Sequence, residues 1–290
     1  MHFPVMAEEA LALLAIRPDG VYIDATAGMG GHTGMIAQRL TTGIVIANDR
    51  DAESLELARA NTSAWADRIR YRQGRFSELR NTLAAEGLHR VDGLLADLGV
   101  SRFQLAEAPH RGFSFLTDGP LDMRMSQDTG MTAADLVNYT AEKALADLIY
   151  QFGEERGSRK IARAIVRARP IKSTLHLADV VSRAVPRTGR LHPATKTFMA
   201  LRIAVNDEPG ELDSLLHIGP DLLSPGGRIV IISFMSSEDR KVKERFKELG
   251  REGRAEILTK HPLTPSQPEI SQNPPSRSAK LRAVAISGGM

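Results

Sequence analysis

The stretch that decides the fold is Val21-Tyr22-Ile23-Asp24-Ala25-Thr26-Ala27-Gly28-Met29-Gly30-Gly31-His32, followed by a second acid at Asp49. An apolar run ends at a carboxylate, and a glycine-rich turn, a helical segment at 35–40 and a second apolar run at 44–47 follow. This order predicts a strand–helix–strand unit that binds a nucleotide at the carboxyl ends of its strands. Asp49 is placed to hold a ribose hydroxyl.

The turn also indicates the charge of its ligand. In dinucleotide-binding folds the glycines receive a pyrophosphate, which a carboxylate in the same turn would repel. Asp24 lies four residues before Gly28, so we expect a cationic ligand without phosphate. S-adenosylmethionine fits, since it carries a sulfonium and an ammonium. The predicted cofactor contacts are Asp24, Gly28, Gly30, Gly31, His32 and Asp49. An ordinary strand–turn–helix with incidental glycines is the competing interpretation.

The amino-acid composition limits the kinds of protein to which this chain can belong. The 290 residues are 42% hydrophobic and 25% charged, as in a globular protein of one large or two smaller domains. With no cysteine, disulfides and thiolate nucleophiles are excluded, and the histidines lack metal-ligand spacing, so no metal is expected. No apolar run has the length of a membrane span and no signal peptide is evident. We expect a cytoplasmic protein that does not enter a membrane.

Basic residues are concentrated in one segment. Residues 156–202 contain twelve Lys and Arg but a single acid, Asp179. A helix is predicted at 156–169, with Lys160, Arg163 and Arg167 on one face. Such a concentration is the electrostatic footprint of a phosphate backbone. These three residues are candidate nucleic-acid contacts, with a solvated charged surface as the alternative.

The pattern along the chain predicts an interrupted α/β fold. Residues 1–104 alternate strand and helix patterns, 105–205 are mainly helical, and 206–290 return to the alternating pattern. A doubly wound sheet with a helical insertion is therefore expected, with these three ranges as domain boundaries. The segment 101–130 is predicted to be an ordered functional loop, 224–227 a turn, and the proline-rich 262–275 a loop.

The candidate catalytic residues follow the strand predicted at 91–97. Asp97 and Ser101 lie where an amino-methyltransferase holds its target nitrogen. A carboxylate accepting the amine N–H would localise the nitrogen lone pair toward the methyl group. Contact with the cofactor, or capping of the next turn, remains open for Asp97. The run Asn273-Pro274-Pro275-Ser276 lacks the aromatic residue and the position of an amino-methyltransferase tetrad, so we exclude it.

The loop that follows combines aromatic, glycine and charged residues. Arg111-Gly112-Phe113-Ser114-Phe115 precedes Gly119-Pro120-Leu121-Asp122-Met123-Arg124-Met125. A flipped base needs an apolar surface for stacking and charged groups to contact its edge. Phe113, Asp122 and Arg124 are therefore candidate substrate contacts. A structured loop with an internal ion pair explains the same pattern.

Several of these motifs occur together, in order, over nearly the whole chain. With them the chain strongly resembles the bacterial RsmH (MraW) family, the 16S ribosomal RNA cytosine-N4 methyltransferases. The motifs that carry the likeness include His2-Phe3-Pro4-Val5-Met6, Gly28-Met29-Gly30-Gly31-His32-Thr33, Asp97-Leu98-Gly99-Val100-Ser101, Arg111-Gly112-Phe113-Ser114-Phe115, Asp118 to Met125, and Ile232-Ser233-Phe234. His2 and Phe3 lie outside the residues described below.

The resemblance implies a Rossmann-like class I S-adenosylmethionine-dependent methyltransferase sheet with an inserted helical domain for substrate recognition. Its implied substrate is a cytidine amine in 16S rRNA of the small ribosomal subunit, near the decoding centre. The implied cofactor contacts are Gly30, Gly31, His32, Asp49, Phe76, Asp97 and Gln104. Met235 replaces a usual histidine, which excludes any catalytic duty for that histidine here.

Other functions remain as alternatives. Methylation of another nucleic acid is one, and a cofactor-binding RNA chaperone without turnover is another, for which Met235 is the main indication. The basic segment disfavours a small-molecule methyltransferase. The sequence leaves the oligomeric state open, with a homodimer among the candidate assemblies.

Overall fold

The computed structural model describes residues 4–101, 103–128, 130–187 and 189–288. Within them the strands are β1 Val21–Asp24, β2 Ile44–Asp49, β3 Ile69–Gln73, β4 Val91–Asp97, β5 Leu223–Ser233, β6 Ala255–Ile257 and β7 Lys280–Ile286. The α-helices are α1 Ala7–Leu14, α2 Gly31–Arg39, α3 Ala52–Asn61, α4 Leu79–Ala85, α5 Ala133–Tyr139, α6 Glu142–Gly153, α7 Ser158–Ala168, α8 Thr174–Ala184, α9 Thr195–Asn206, α10 Glu208–Leu222, α11 Ser236–Arg251 and α12 Gln267–Gln272.

The strands form a single seven-stranded sheet in the order β3-β2-β1-β4-β5-β7-β6. Strands β1 to β5 are parallel, and β7 pairs antiparallel with both β5 and β6. The order reverses between β1 and β4, so the carboxyl ends of these two strands flank the crevice where doubly wound sheets bind ligands. This is a doubly wound, Rossmann-like sheet, and the predicted α/β fold class is confirmed.

Helices cover both faces of the sheet because its central strands are apolar on both sides. Successive side chains of a strand point to opposite faces, and in β4 Leu94 and Leu95 belong to different hydrophobic clusters. The cluster with Leu95 includes residues of α1, α2 and α3. The cluster with Leu94 includes residues of α4, α10 and α11. The sheet is therefore enclosed between two helical layers. Polar residues lie at the carboxyl ends of its strands, where Asp24, Asp49 and Asp97 end β1, β2 and β4.

The chain divides into two compact units, Met1–Gly99 with Pro209–Met290, and Val100–Glu208. The first contains the sheet. The second contains α5 to α9, packed around its own core of buried side chains that include Ile161, Ile165, Leu177 and Phe198. We refer to them as the sheet unit and the helical unit.

Two predicted irregular segments are more ordered than expected, and those predictions were wrong. The proline-rich 262–275 contains α12, which Ser266 caps by accepting the Glu269 N–H with its hydroxyl. Pro268 is accommodated because a helix makes no use of the first-turn N–H groups. The predicted turn at 224–227 lies inside β5, where the pairing with β4 shifts register between Val91 and Gly93.

The segment 101–130 is partly helical. It contains a π-helical turn at Phe103–Glu107 and a 3-10 turn at Pro109–Arg111. The remaining described residues of the segment form bends and extended backbone. The expectation of an ordered segment without sustained periodicity therefore agrees with what is seen, apart from these short turns.

Candidate active site

The glycine-rich turn joins the end of β1 to the start of α2, and its backbone requires glycine. Gly28 and Gly30 have φ values of 50° and 88°, which side chains disfavour. A Cβ on Gly30 would also lie 2.9 Å from Thr62 Cγ2. The Gly28 N–H donates to Asp49 Oδ2 over 2.7 Å. The turn is thereby tied to the end of β2.

Asp24, at the end of β1, supports this turn from inside. Its side chain is fully buried, and its carboxylate accepts the Thr33 hydroxyl at 2.6 Å and the Thr26 N–H at 3.2 Å. Burial raises the pKa of Asp24, while the hydrogen bonds from Thr33 and Thr26 oppose that rise. The sequence suggested a direct cofactor contact. In the structure the Asp24 carboxylate stabilises the turn instead, because its oxygens are buried and accept hydrogen bonds from Thr26 and Thr33.

Asp49, at the end of β2, holds two backbone groups at once. Besides the Gly28 N–H, it accepts the Asp51 N–H at 2.9 Å through its other oxygen. Burial raises the pKa of Asp49 to about 6, although both N–H groups oppose the rise. The carboxylate is half-buried, at the edge of the glycine turn where the sequence predicted a ribose contact.

Asp97, at the end of β4, is half-buried, with 23% of its side chain exposed. Its N–H donates to the Thr26 hydroxyl oxygen at 2.6 Å, which joins the ends of β1 and β4. Its Oδ1 atom is buried without a hydrogen-bond partner among the described residues. Burial raises the pKa of Asp97 well above its ordinary value, and the negative charges of Asp24, Glu238 and Glu269 add to the rise. An unpartnered buried carboxylate oxygen is costly, and a bound amine would satisfy it.

His32 lies beside Asp97 in the first turn of α2. It is 4% exposed, and its Nε2 is 3.0 Å from the Val5 carbonyl oxygen. Its Nδ1 is 4.0 Å from Asp97 Oδ2. Phe76, another predicted cofactor contact, is half-buried at the start of the 3-10 turn Phe76–Glu78 that follows β3.

Ser101 and Gln104 lie in the helical unit, where they cap each other. The Ser101 N–H donates to Gln104 Oε1 at 3.0 Å, and the Gln104 N–H donates to Ser101 Oγ at 3.2 Å. Gln104 is 4% exposed. The two predicted residues are therefore brought together by the π-helical turn, as one local element.

The structure also corrects the assignment of Phe113. Its ring is buried in the core of the helical unit, so it offers no open face for stacking. Asp122 and Arg124 form the internal ion pair that the sequence left open, with Arg124 Nε and Nη2 donating to the two carboxylate oxygens at 2.8 Å and 2.9 Å. Behind them, the buried Arg111 donates to the carbonyls of Arg124 and Met125, both at 2.8 Å.

The predicted basic face is present on α7. Lys160, Arg163 and Arg167 are exposed, whereas Ile161 and Ile165 are fully buried. Arg163 makes a surface ion pair with Glu142 at 3.5 Å, of a kind that contributes little to stability. The face is therefore solvent-accessible and carries positive charge.

Sequence reasoning missed four polar residues around the glycine turn and Asp97. Thr26 lies within the glycine-rich motif without a predicted role, and Glu238 was not among the candidate residues. Asn48 is fully buried and donates to the Gly74 carbonyl at 3.1 Å, and Glu269 accepts the Met6 N–H at 2.7 Å. The contact between Met6 and Glu269 spans almost the whole chain and left no local signal.

These residues fit S-adenosylmethionine. The glycine turn leads from β1 into α2, acids end β1, β2 and β4, and Asp97 Oδ1 has no hydrogen-bond partner among the residues that the structure describes. Negative charge at these strand ends complements the sulfonium and ammonium of the donor. In the described part of the chain, no group of three or more acidic, His or Cys side chains could hold a metal ion. No helix among these residues is long and apolar enough to cross a membrane.

Comparison with known proteins shows the family of the chain. The MraW methylase family matches residues 1–287. The ribosomal RNA small subunit methyltransferase H of Solibacter usitatus is 70% identical, over 99% of this chain and 100% of the relative. That of Acidobacterium capsulatum is 51% identical, over 98% and 97%. A solved structure of a putative rRNA methylase from Clostridium thermocellum aligns over 99% of both chains with a TM-score of 0.46 and 10% identity, a likeness that carries no argument.

The family predicted from the motifs is confirmed, and with it the expectation of an enzyme that uses S-adenosylmethionine. The match extends from the first strand motif through the basic segment to the last strand. The chain belongs to the MraW methylase family of S-adenosylmethionine-dependent methyltransferases.

Proposed function

We propose that this protein transfers the methyl group of S-adenosylmethionine to the exocyclic N4 of a cytidine in 16S rRNA, near the decoding centre of the small ribosomal subunit. Family membership and the relative at 70% identity establish methylation of small-subunit rRNA as the reaction. The choice of an amine as acceptor rests on Asp97, whose buried Oδ1 has no partner among the described residues.

Asp97 has the properties that this chemistry needs. The lone pair of a cytidine amine is delocalised into the ring, and a carboxylate that accepts its N–H localises the pair on nitrogen. When bound, S-adenosylmethionine would supply an electrophilic methyl carbon on its sulfonium, and the sulfur would leave as a neutral thioether. As the N–C bond forms and the S–C bond breaks, N4 becomes positively charged and loses a proton. Asp97 is placed to receive it, and its raised pKa makes it a stronger base than an exposed carboxylate.

The remaining site residues are assigned to the donor. Asp49 would accept a ribose hydroxyl, as its position after β2 implies. Gly28, Gly30 and Gly31 would allow the donor to lie against the backbone, and His32, Phe76 and Gln104 would border it. Asp24 would act indirectly, by bracing the turn. The main catalytic contribution is then positioning of the methyl group in line with N4.

The helical unit is assigned to the RNA. Lys160, Arg163 and Arg167 form an exposed basic face, suited to phosphate contacts. The paired Asp122 and Arg124 would contact polar groups of the substrate, whereas Phe113 would act only by supporting the loop from the core. The division at residues 105 and 205, between methyltransferase and substrate-recognition domains, is part of the same proposal.

Mass mapping of modified cytidines in 16S rRNA, from cells with and without this protein, tests the function directly. We expect one cytidine to lose a methyl group in cells that lack the protein. In vitro, small subunits, naked rRNA and DNA should be compared as acceptors, and labelling of DNA alone would overturn the proposal. Action in the cytoplasm belongs to the same proposal. The homodimer remains a prediction, which light scattering of the purified protein checks.

A further inference from the structure

A short N-terminal segment lies over the glycine turn of the sheet unit. The segment comprises Pro4, Val5 and Met6, and a Cβ on Gly31 would lie 3.2 Å from the Pro4 side chain. The Val5 carbonyl is the partner of His32 Nε2 at 3.0 Å. Val5 is 7% exposed and Met6 is fully buried. These residues are thus packed into the site and form part of its wall.

Glu269 in α12 holds this segment in place. Its Oε1 accepts the Met6 N–H over 2.7 Å. Met6 has a φ of 48°, a left-handed conformation that residues with a side chain rarely adopt and that persists where surrounding contacts determine it. The carboxylate therefore fixes the backbone at Met6, and with it the direction of the adjoining Val5 carbonyl.

The Val5 carbonyl in turn determines the tautomer of His32. A carbonyl oxygen can only accept, so the ring must carry a proton on Nε2, and the neutral ring then presents Nδ1 as an acceptor. Nδ1 lies 4.0 Å from Asp97 Oδ2. The imidazole therefore faces Oδ2 of the Asp97 carboxyl group rather than the buried Oδ1. Glu269 is also close enough to Asp97 for its charge to act on it, after burial, Asp24 and Glu238.

We propose that Glu269 is a positioning residue of the methyl-transfer site, which acts through Met6, Val5 and His32 on the orientation of the Asp97 carboxyl group. For its effect on catalysis this inference rests on the proposed function. The arrangement of Glu269, Met6, Val5 and His32 is a property of the sheet unit alone. It can therefore be measured without substrate.

The variants Glu269→Gln and Glu269→Ala separate the effect of the hydrogen bond from that of the negative charge. Gln retains an oxygen that can accept the Met6 N–H, whereas Ala removes the acceptor. Glu256→Ala, which removes an exposed carboxylate from β6 of the same unit, is the matched control. Thermal unfolding of each variant verifies that it folds.

The direct readout is the ¹⁵N spectrum of the histidine rings in the full-length protein, with the His32 signals assigned by their loss in His32→Gln. We expect wild type, Glu269→Gln and Glu256→Ala to show His32 with its proton on Nε2, and Glu269→Ala to show a mixture of tautomers. A His32 tautomer unchanged in Glu269→Ala would overturn the inference, whatever its unfolding temperature.

Single-turnover methyl transfer to small subunits gives the second readout. We expect Glu269→Ala to be slower by about tenfold or more, because small displacements of reacting groups have effects of this size. Glu269→Gln should remain within about threefold of wild type, since the hydrogen bond persists. Equal losses in both variants would overturn the positioning role. If wild type itself transfers no methyl group, the proposed function fails, while the histidine spectra still decide the inference.

Discussion

Two charged regions of this protein differ in how their charges are held. At the strand ends of the sheet unit, Asp24, Asp49 and Asp97 are buried or half-buried, and backbone N–H or hydroxyl groups bind individual oxygens of Asp24 and Asp49. On α7 of the helical unit, Lys160, Arg163 and Arg167 project into solvent. Buried charges interact strongly with single atoms, whereas exposed charges are screened and act together. Substitutions in the two regions should therefore differ in size and in response to salt.

The largest effect is expected for Asp97→Asn. The amide is nearly isosteric but is not a base, so we expect the methyl-transfer rate to fall by about 10²–10⁴-fold. Donor affinity should change by no more than about threefold, as the glycine turn and Asp49 are untouched. Burial disfavours the ionised form of Asp97, so the variant should unfold at no lower temperature than wild type. Single-turnover assays, calorimetric titration of the donor and thermal unfolding provide these measurements.

Asp221→Asn is the control for that experiment, because Asp221 is an exposed acid of the same unit paired with Arg254 at 2.8 Å. It should retain the wild-type rate. A rate within about tenfold of wild type in Asp97→Asn would show that Asp97 does not take part in the chemistry. The contrast between buried and exposed charges would then lose its main support.

A smaller effect is expected when the basic face of α7 is neutralised. Replacing Lys160, Arg163 and Arg167 together with Gln should raise the KM for small subunits by about tenfold, and leave donor affinity unchanged. The loss should diminish as salt is added, because phosphate contacts are screened and are coupled to counterion release. Steady-state kinetics at several salt concentrations measure both effects.

Neutralising Arg240, Lys243 and Lys247 on α11 removes the same number of positive charges from the sheet unit and serves as the matched control. A specific role for α7 requires that the control change KM much less. Equal increases in the two triple variants would mean that net charge, rather than the α7 face, governs association.

The sequence predicted the sheet well because each strand carries its own signal. The runs predicted at 44–47 and 91–97 lie in β2 and β4, and the glycine turn begins α2 as expected. The acids at the ends of β1, β2 and β4 follow from strand position alone. Burial and hydrogen bonding distinguish them, since Asp24 accepts the Thr33 hydroxyl, while Asp97 Oδ1 has no hydrogen-bond partner in the part of the chain that the structure describes.

Tertiary contacts explain what the sequence did not reveal. Phe113 is an aromatic residue of the kind that stacks on a nucleic-acid base, yet its ring is buried in the core of the helical unit. The helix α12 was missed although its one proline, Pro268, lies in the first turn, where a helix tolerates proline. Glu269 on this helix contacts Met6 from the other end of the chain. Local periodicity contains no information about such contacts, whereas the pairing of Asp122 with Arg124 is local and was foreseen as an alternative.

The smallest effect concerns pH and Asp49. Its pKa is raised to about 6 by burial, so the folded protein binds this proton more tightly than the unfolded chain. Its contribution favours folding at low pH and is lost as the pH rises through about 4 to 6. Asp49→Asn removes this dependence. We compare the free energy of unfolding of the variant with that of wild type. The variant's advantage should be about 1 kcal/mol larger at about pH 7.5 than at about pH 4.5, a figure that allows for the partial exposure of Asp49.

Urea unfolding at the two pH values measures this difference, with the exposed Glu56→Gln on α3 as the control for loss of a carboxylate. If the difference in unfolding free energy between wild type and Asp49→Asn is the same at both pH values, Asp49 titrates as it does in the unfolded chain. In that case Asp49 at the end of β2 would behave like a solvent-exposed charge, as the basic residues of α7 do. If the gap changes as expected, repeating the measurement with saturating S-adenosylmethionine extends the comparison. A cation bound near Asp49 favours its ionised form, so the dependence on pH should shrink.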